Sequence, residues 1–346
     1  MKKTAIITGI TGQDGAYLTK HLLELGDYNV VGLARRSSSG DFFRLKRLGI
    51  DLGSITIDTF DLCEPFSMAR MIDKYKPDEI YNLAAQSFVG ASFETPLYTM
   101  EVNATGVYRW VEAIVNSKLP IKFYQAGTSE MFGMAQEIPQ TERTSFYPRS
   151  PYGVAKLSAY WFVKNYRESH NLFGCNGILF NHESPLRGLE FVTRKITNGL
   201  ARLHLGKSGP VALGNIDSVR DWGHAEDYVA AMHTMMQQDK PGDYVISTNE
   251  IHTVREFCEI ASKQLGYDLK WVGTGLDEQG IDTVTGKVLI TINPKFFRPT
   301  DVDFLQGDCE KAKIQLQWCR KHSFNDLVTE MVLSDLKLEQ NESAAR

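Results

Sequence analysis

Apolar positions in the first half of the chain alternate between two patterns. Short runs rich in β-branched and aromatic residues, at Thr4–Thr8, Asn29–Leu33, Ile55–Phe60, Glu79–Leu83, Ile121–Ala126 and Gly177–Asn181, predict strands. Longer helical patterns lie between them, at Ala16–Leu25, Ser67–Tyr75, Thr105–Asn116 and Tyr152–His170. Strand and helix in alternation mean βαβ units and a parallel sheet: an α/β fold, doubly wound and of Rossmann type. Ligands on such sheets bind beyond the carboxyl ends of the strands.

The rhythm loosens after about residue 185. The stretch "VGTGLDEQGIDTVTGKVLITINP" reads as irregular, and the tail "LEQNESAAR" reads as frayed. Residues 1–180 are therefore expected to form the Rossmann domain, with a return to it near 213–248 through the strand Tyr244–Thr248. Residues 181–346 are expected to form mainly a smaller α/β lobe that closes over the sheet's edge and chooses the substrate. No internal repeat and no low-complexity segment interrupts this plan.

A chain of 346 residues suits a two-part globular enzyme. Its 23% charged residues and net charge of -4 describe a mixed, slightly acidic surface, with no electrostatic reason to expect nucleic acid. Cys63, Cys175, Cys258, Cys309 and Cys319 are odd in number and lack Cys-x-x-Cys spacing. They fit reduced thiols in a cytoplasm better than a disulfide frame or a zinc site. The apolar run in "MKKTAIITGITGQDG" breaks at Thr8-Gly9, too soon for a signal sequence or a membrane span. A soluble, cytoplasmic protein is expected.

"TAIITGITGQDGAYL" sets Gly9, Gly12 and Gly15 between the first strand and the first helix. Such glycines let backbone N–H groups approach a pyrophosphate at the helix's positive end. Three glycines alone also make a mere tight turn; strand before and helix after favour a dinucleotide site that takes in Thr11, Gln13 and Asp14. At the end of the second strand, "VVGLARRSSSG", an NAD enzyme usually carries a carboxylate for the ribose 2′-hydroxyl. Here Arg35, Arg36 and Ser37 stand instead. Two guanidiniums and a hydroxyl suit a 2′-phosphate, so NADP is expected, against the plain alternative of a solvated basic turn. Asp61-Leu62 ends the third strand, where a carboxylate can meet the adenine amino group. Leu83, Ala84, Ala85, Gln86 and Ser87 end the fourth, mostly small residues that let a cofactor lie close.

"SPYGVAKLSAYWFVKNYRESH" holds two Tyr-x-x-x-Lys pairs, Tyr152 with Lys156 and Tyr160 with Lys164. Residues four apart share a helix face, so either ammonium can favour a phenolate and lower a pKa that is otherwise about 10. Position separates them. Tyr152 follows the helix-start signal Ser150-Pro151, whereas Tyr160 lies deeper, amid Trp161 and Phe162, and reads as packing. Upstream, the strand in "IKFYQAGTSEMFG" ends on Thr128, Ser129 and Glu130.

Gly-x-x-Gly-x-x-Gly, a strand-end Thr and Tyr-x-x-x-Lys together resemble the extended short-chain dehydrogenase/reductase superfamily. That resemblance implies hydride transfer between a sugar carbinol and nicotinamide. Tyr152 would take the hydroxyl proton, Lys156 would bind the nicotinamide ribose and lower the tyrosine pKa, and Thr128 would hold the same oxygen. Plain oxidation has no need of Glu130, and a buried carboxylate is costly without a task or a partner. A sugar oxidised at C4 has an acidic proton at C5, which a carboxylate can remove before helping the C6 hydroxyl leave as water. The bland alternative for Glu130 is a salt bridge or a helix cap.

The strings "YNLAAQSFVGASFE", "TSEMFG", "FYPRSPYGVAK", "NGILFNHESPLRGLEFVTRKI", "GNIDSVRDWGHAEDYV" and "FFRPTDVDFLQGD" narrow the likeness to the GDP-mannose 4,6-dehydratase family, from about residue 4 to residue 310. The resemblance implies GDP-mannose as substrate and NADP as cofactor. It places Thr128, Glu130, Tyr152 and Lys156 at the reacting centre and Tyr98, His182 and Arg187 against the cofactor. Ser87, Asn181, Lys195, Arg220 and Arg298 would face the sugar nucleotide, and a diphosphate in a dry cleft does call for fixed cations. No metal is expected, since His182 and Glu183 are adjacent on a strand and point to opposite faces.

Family members are dimers or tetramers, which implies a homo-oligomer. The segment "GDFFRLKRLGIDLGS" is shorter than in many of them, which puts a cofactor contact between neighbouring subunits in doubt. The rival readings are a GDP-manno-heptose 4,6-dehydratase, with Phe88, Ser92 and Met131 deciding pocket room, and an epimerase or reductase that needs no Glu130. A non-catalytic NADP sensor would show a broken Tyr/Lys pair, and here the pair is intact.

Overall fold

The structure is a computed structural model that describes residues 2–36, 42–297 and 304–344. Its largest element is a seven-stranded sheet built from β1 (Lys3–Thr8), β2 (Tyr28–Ala34), β3 (Thr56–Thr59), β4 (Glu79–Asn82), β5 (Lys122–Ala126), β6 (Gly174–Leu179) and the later strand Asp243–Ile246. The order across the sheet is Asp243–Ile246, β6, β5, β4, β1, β2, β3, and every pairing is parallel. The order reverses beside β1, so the crevice at its carboxyl end is the position expected to hold a ligand.

Both faces of this sheet are covered, as the continuous apolar strands require. Successive residues of β1 point to opposite sides. Ile7 packs with Tyr17, Leu18 and Leu22 of helix α1 (Gln13–Leu25) and with Tyr228 and Met232 of the helix Ala225–Met236. Ile6 packs on the other face with Met68, Ile72, Val107 and Trp110.

Two boundaries move. The strand expected at 177–181 starts three residues earlier, at Gly174, and breaks at Phe180, whose N–H donates to the carbonyl of Ile246 (2.9 Å). The chain resumes as Asn181–Glu183, paired in parallel with Trp222–His224, which sets "NHESPLRG" and "RDWGHAEDYV" side by side. The return strand is Asp243–Ile246, and residues 309–318 also pack into the first core, through Cys309, Ala312, Leu316 and Trp318.

The second lobe has its own core of Ile196, Leu200, Trp222, Phe257, Leu289 and Met331, among others. Two expectations fail there. The stretch read as irregular carries two strands, Gln279–Asp282 and Val288–Ile292, in a four-stranded sheet with Leu269–Val272 and Val211–Leu213. A shift of register between Gly280 and Ile281 breaks the apolar alternation that would have marked them. The tail read as frayed is helical, the last helix running Phe324–Ala344. Glu339 is held there by Arg202 (3.3 Å) and Lys207 (3.0 Å) from another part of the chain. No helix among the described residues is long and apolar enough to cross a membrane.

Candidate active site

Gly9, at φ +70°, turns the chain out of β1 so tightly that a Cβ there would stand 2.9 Å from the backbone of Ala84. The loop closes with the Gly12 N–H donating to the Gly9 carbonyl (2.9 Å), and α1 begins at Gln13. The neighbouring strand end is pinned from two sides. Leu83 N–H and Ala84 N–H both donate to Thr8 Oγ1 (3.0 Å each), and the Asn103 amide brackets the backbone N–H and carbonyl of Gln86 (2.8 Å each).

These loops wall a cleft of about 610 Å³. Of the residues expected at the cofactor, Gly9, Thr11, Gly12, Arg35, Arg36, Asp61, Leu62, Leu83, Ala84, Ala85, Ser87 and Tyr98 line it. Both arginines are exposed at its mouth, and Arg35 donates to the Tyr98 hydroxyl (2.8 Å). Arg70 joins them on an adjoining cavity wall, a third guanidinium that nothing in the sequence spacing marks. Ser37 lies outside the described residues.

Gln13 and Asp14 turn their side chains away from the cleft, toward the segment after β6. Gln13 Nε2 donates to the His182 carbonyl (3.1 Å), and the Ser184 hydroxyl donates to Gln13 Oε1 (2.8 Å). Asp14 Oδ2 meets His182 Nε2 at 2.9 Å. What Gln13 and Asp14 can offer a ligand is thus backbone N–H, not side chain. Two further arginines brace this segment. Arg44 donates to the carbonyls of Thr11 (3.0 Å) and Leu186 (2.7 Å), and Arg194 to those of Pro185 (2.7 Å) and Arg187 (2.9 Å).

The reacting group assembles at the end of β5. Thr128 caps a short turn at Ser129–Met131 by accepting from the Glu130 N–H (3.2 Å). The helix Pro151–His170 starts as expected, with the Ser150 hydroxyl accepting from the Gly153 N–H (3.0 Å) and proline in its first turn. Gly153 permits the close approach: a Cβ there would lie 2.7 Å from the Glu130 carbonyl oxygen. Tyr152 is buried in that turn, and the Lys156 ammonium stands 5.9 Å from the centre of its ring.

One expectation about this pair does not hold. The Tyr152 pKa is pushed up to about 12, by burial first, with the Thr128 hydroxyl pulling it down, the Glu130 charge opposing, and Arg187 helping. Lys156 is not among the groups that lower it, and its ammonium donates to the Ala126 carbonyl (2.8 Å). Burial also brings Lys156 itself down to about 8. Tyr160, by contrast, packs against Phe146 and donates to Asp243 Oδ2 (3.2 Å), as expected of a structural residue.

The residues expected to face the sugar nucleotide are more dispersed. Asn181 sits opposite Trp222 on the short parallel pair, Arg220 is buried on Val219–Arg220, and the Lys195 ammonium lies 3.0 Å from the centre of the Phe296 ring. Burial lowers Lys195 to about 8. Arg187 pairs with Glu183 (3.0 Å) and covers Phe191. Arg298 lies outside the described residues. Ser92 and Met131 are fully buried, which leaves Phe88 as the exposed member of the trio named for pocket room.

His224, Glu226 and His322 also bring ligand atoms within 4.8 Å of one another. The His224 ring is already spent, with Nδ1 accepting from the Glu226 N–H (3.1 Å) and Nε2 facing Glu330 (3.0 Å), so the group makes a poor metal cradle.

Known proteins resemble this chain in sequence and in fold. The model of a family described as GDP-mannose 4,6 dehydratase matches residues 6–331. The human GDP-mannose 4,6 dehydratase is 50% identical over 344 residues, covering 97% of this chain and 92% of its own. The GDP-mannose 4,6-dehydratase of Sinorhizobium fredii is 50% identical over 341 residues, covering 97% of both chains. A solved UDP-glucose 4-epimerase of Thermotoga maritima shares the fold, with a TM-score of 0.80 at 22% identity over 98% of this chain and 99% of that one.

Proposed function

The chain belongs to the GDP-mannose 4,6-dehydratase family, and from that membership we propose that it converts GDP-D-mannose to GDP-4-keto-6-deoxy-D-mannose. NADP would be held by the glycine turn and the strand ends, and would supply the acceptor for the C4 hydride and its donor at C6. The fit of the cleft supports this: a glycine turn with no room for a Cβ at its base, small residues at the end of β4, and guanidiniums of Arg35, Arg36 and Arg70 at the mouth for a 2′-phosphate.

In this reading Thr128 holds the C4 hydroxyl while Tyr152 removes its proton, which it gives to C5 when hydride arrives at C6. Lys156, whose ammonium donates to the Ala126 carbonyl, holds the ribose. Glu130 takes the C5 proton and passes it to the departing C6 hydroxyl. Ser87, Asn181, Lys195, Arg220 and Arg298 hold the sugar nucleotide; Tyr98, His182 and Arg187 serve the cofactor. What supports the reading is the half-buried Glu130, whose charge is felt at Tyr152, a position where simple redox chemistry has no use for a carboxylate.

The test is to incubate the protein with GDP-mannose and catalytic NADP and weigh the product. Loss of one water without net cofactor reduction is expected; an isomer of unchanged mass would point to epimerisation instead. A clear preference for GDP-manno-heptose in the same assay would move the substrate, not the chemistry.

We also propose a homo-oligomer in a reducing cytoplasm. Its five cysteines are free thiols, and Leu97, Tyr108, Val154 and Trp161 are exposed on helices that pack side by side. Sedimentation at micromolar concentration should find at least a dimer, and Trp161→Glu should shift it toward monomer.

A further inference from the structure

His182 is the one histidine that bridges the glycine loop and the segment after β6, and both of its ring nitrogens meet acceptors. Nδ1 lies 2.8 Å from the Phe180 carbonyl, an oxygen that can only accept. Nε2 lies 2.9 Å from Asp14 Oδ2. The carboxylate form of Asp14 is favoured on three counts. It stands in the first turn of α1, at the positive end of the helix, its other oxygen accepts from Gln13 Nε2 (3.0 Å), and it faces His182. A neutral imidazole has only one N–H and could not satisfy both neighbours. The ring is also clamped flat against Tyr228, with centroids 4.5 Å apart and planes 20° from parallel.

We infer that His182 is an imidazolium whose charge offsets that of Asp14, making it a positioning residue that weakens the influence of the glycine loop's carboxylate on Tyr152 and Lys156. This rests on the reading of Tyr152 as the base of the reaction. The charged groups around the pair are few. Arg187 faces His182 from its own segment, Tyr228 covers it from the helix Ala225–Met236, and Glu130, Arg187 and Asp14 are the charges felt by Tyr152. Asp14 also acts on Lys156. Burial works against a charged His182, but the Asp14 charge and hydrogen bond outweigh it and raise the imidazole above its ordinary range. Burial likewise works against a charged Asp14, and the His182 charge and hydrogen bond win again, holding it at about 2.

Unpaired, the Asp14 charge would oppose the phenolate of Tyr152. In His182→Gln, the acid limb of the pH profile for C4 oxidation, followed as reduced nicotinamide in a single turnover, should therefore move up, by roughly one pH unit for one uncompensated charge. The double variant Asp14→Asn/His182→Gln should bring the limb back to within a few tenths of a unit of the parent. Rates that fall in both variants with the limb fixed would mean a merely structural role and overturn the inference. Neutron diffraction of the NADP-bound protein supplies a readout that needs no variant: two deuterons on the His182 ring are expected, and one would refute the imidazolium. If the parent protein forms no keto sugar from GDP-mannose, the functional reading falls, while the neutron result still judges the ion pair.

Discussion

At the scale of single residues, Glu130 carries the heaviest functional load. Glu130→Gln should still oxidise C4 and then stall, leaving reduced cofactor on the protein and cutting turnover by about 100-fold or more. Absorbance of bound reduced nicotinamide checks it, and normal turnover would remove Glu130 from the chemistry. Arg35 stands at the cleft mouth with one N–H on the Tyr98 hydroxyl and the rest of its fork exposed. Arg35→Asp should weaken NADP by about 10- to 100-fold and NAD much less, as read by titration with both cofactors. Residue types were legible in the sequence here, but directions were not. Spacing puts Lys156 on the Tyr152 face of the helix, yet only the folded chain shows its ammonium taken by the Ala126 carbonyl. Gln13 and Asp14 sit inside a glycine motif that advertises a cofactor, and their side chains instead serve the segment after β6.

At the scale of elements, the site depends on how closely two of them start. The helix Pro151–His170 opens beneath the turn at Ser129–Met131, and Gly153 is the point of contact. Gly153→Ala would drive a methyl to 2.7 Å from a backbone oxygen. The two must part, at a cost of about 1–3 kcal/mol. Catalysis should suffer beyond the stability loss, because Tyr152 and Glu130 move apart. Comparing kcat with the thermal midpoint tests this, and a variant that loses only stability would argue against the coupling. The strands of the large sheet were legible because most are short β-branched or aromatic runs between turn signals. Gln279–Asp282 and Val288–Ile292 were not, since their pairing depends on Val211–Leu213 and Leu269–Val272, whose partnership no local pattern announces.

At the scale of the whole molecule, the last helix is held to the segment beside the site through a buried ion pair. Arg194 bonds Asp335 through Nε (2.7 Å) and reaches the carbonyls of Pro185 and Arg187 beside the site. Arg194→Met would strand a buried carboxylate and should cost about 3–5 kcal/mol in urea unfolding, whereas Arg194→Met with Asp335→Leu should recover most of it. Equal losses in both would show that the carbonyl contacts, not the charges, matter. The polar run at the carboxyl end hid the last turns of this helix, where Glu339 is held by distant cations, whereas the earlier turns bury Leu327, Val328, Met331 and Val332 at helical spacing.

The return of Asp243–Ile246 to the first sheet bears on how the protein is made. All six residues of β6 are buried in the finished molecule, and β6 has that late strand for its outer neighbour. A nascent chain that has just cleared the ribosome through Leu179 would display an apolar ribbon with unsatisfied N–H and C=O groups along one side. Translation must proceed to Ile246 before that ribbon is sealed, so synthesis of this protein passes through an interval in which chaperone binding competes with aggregation.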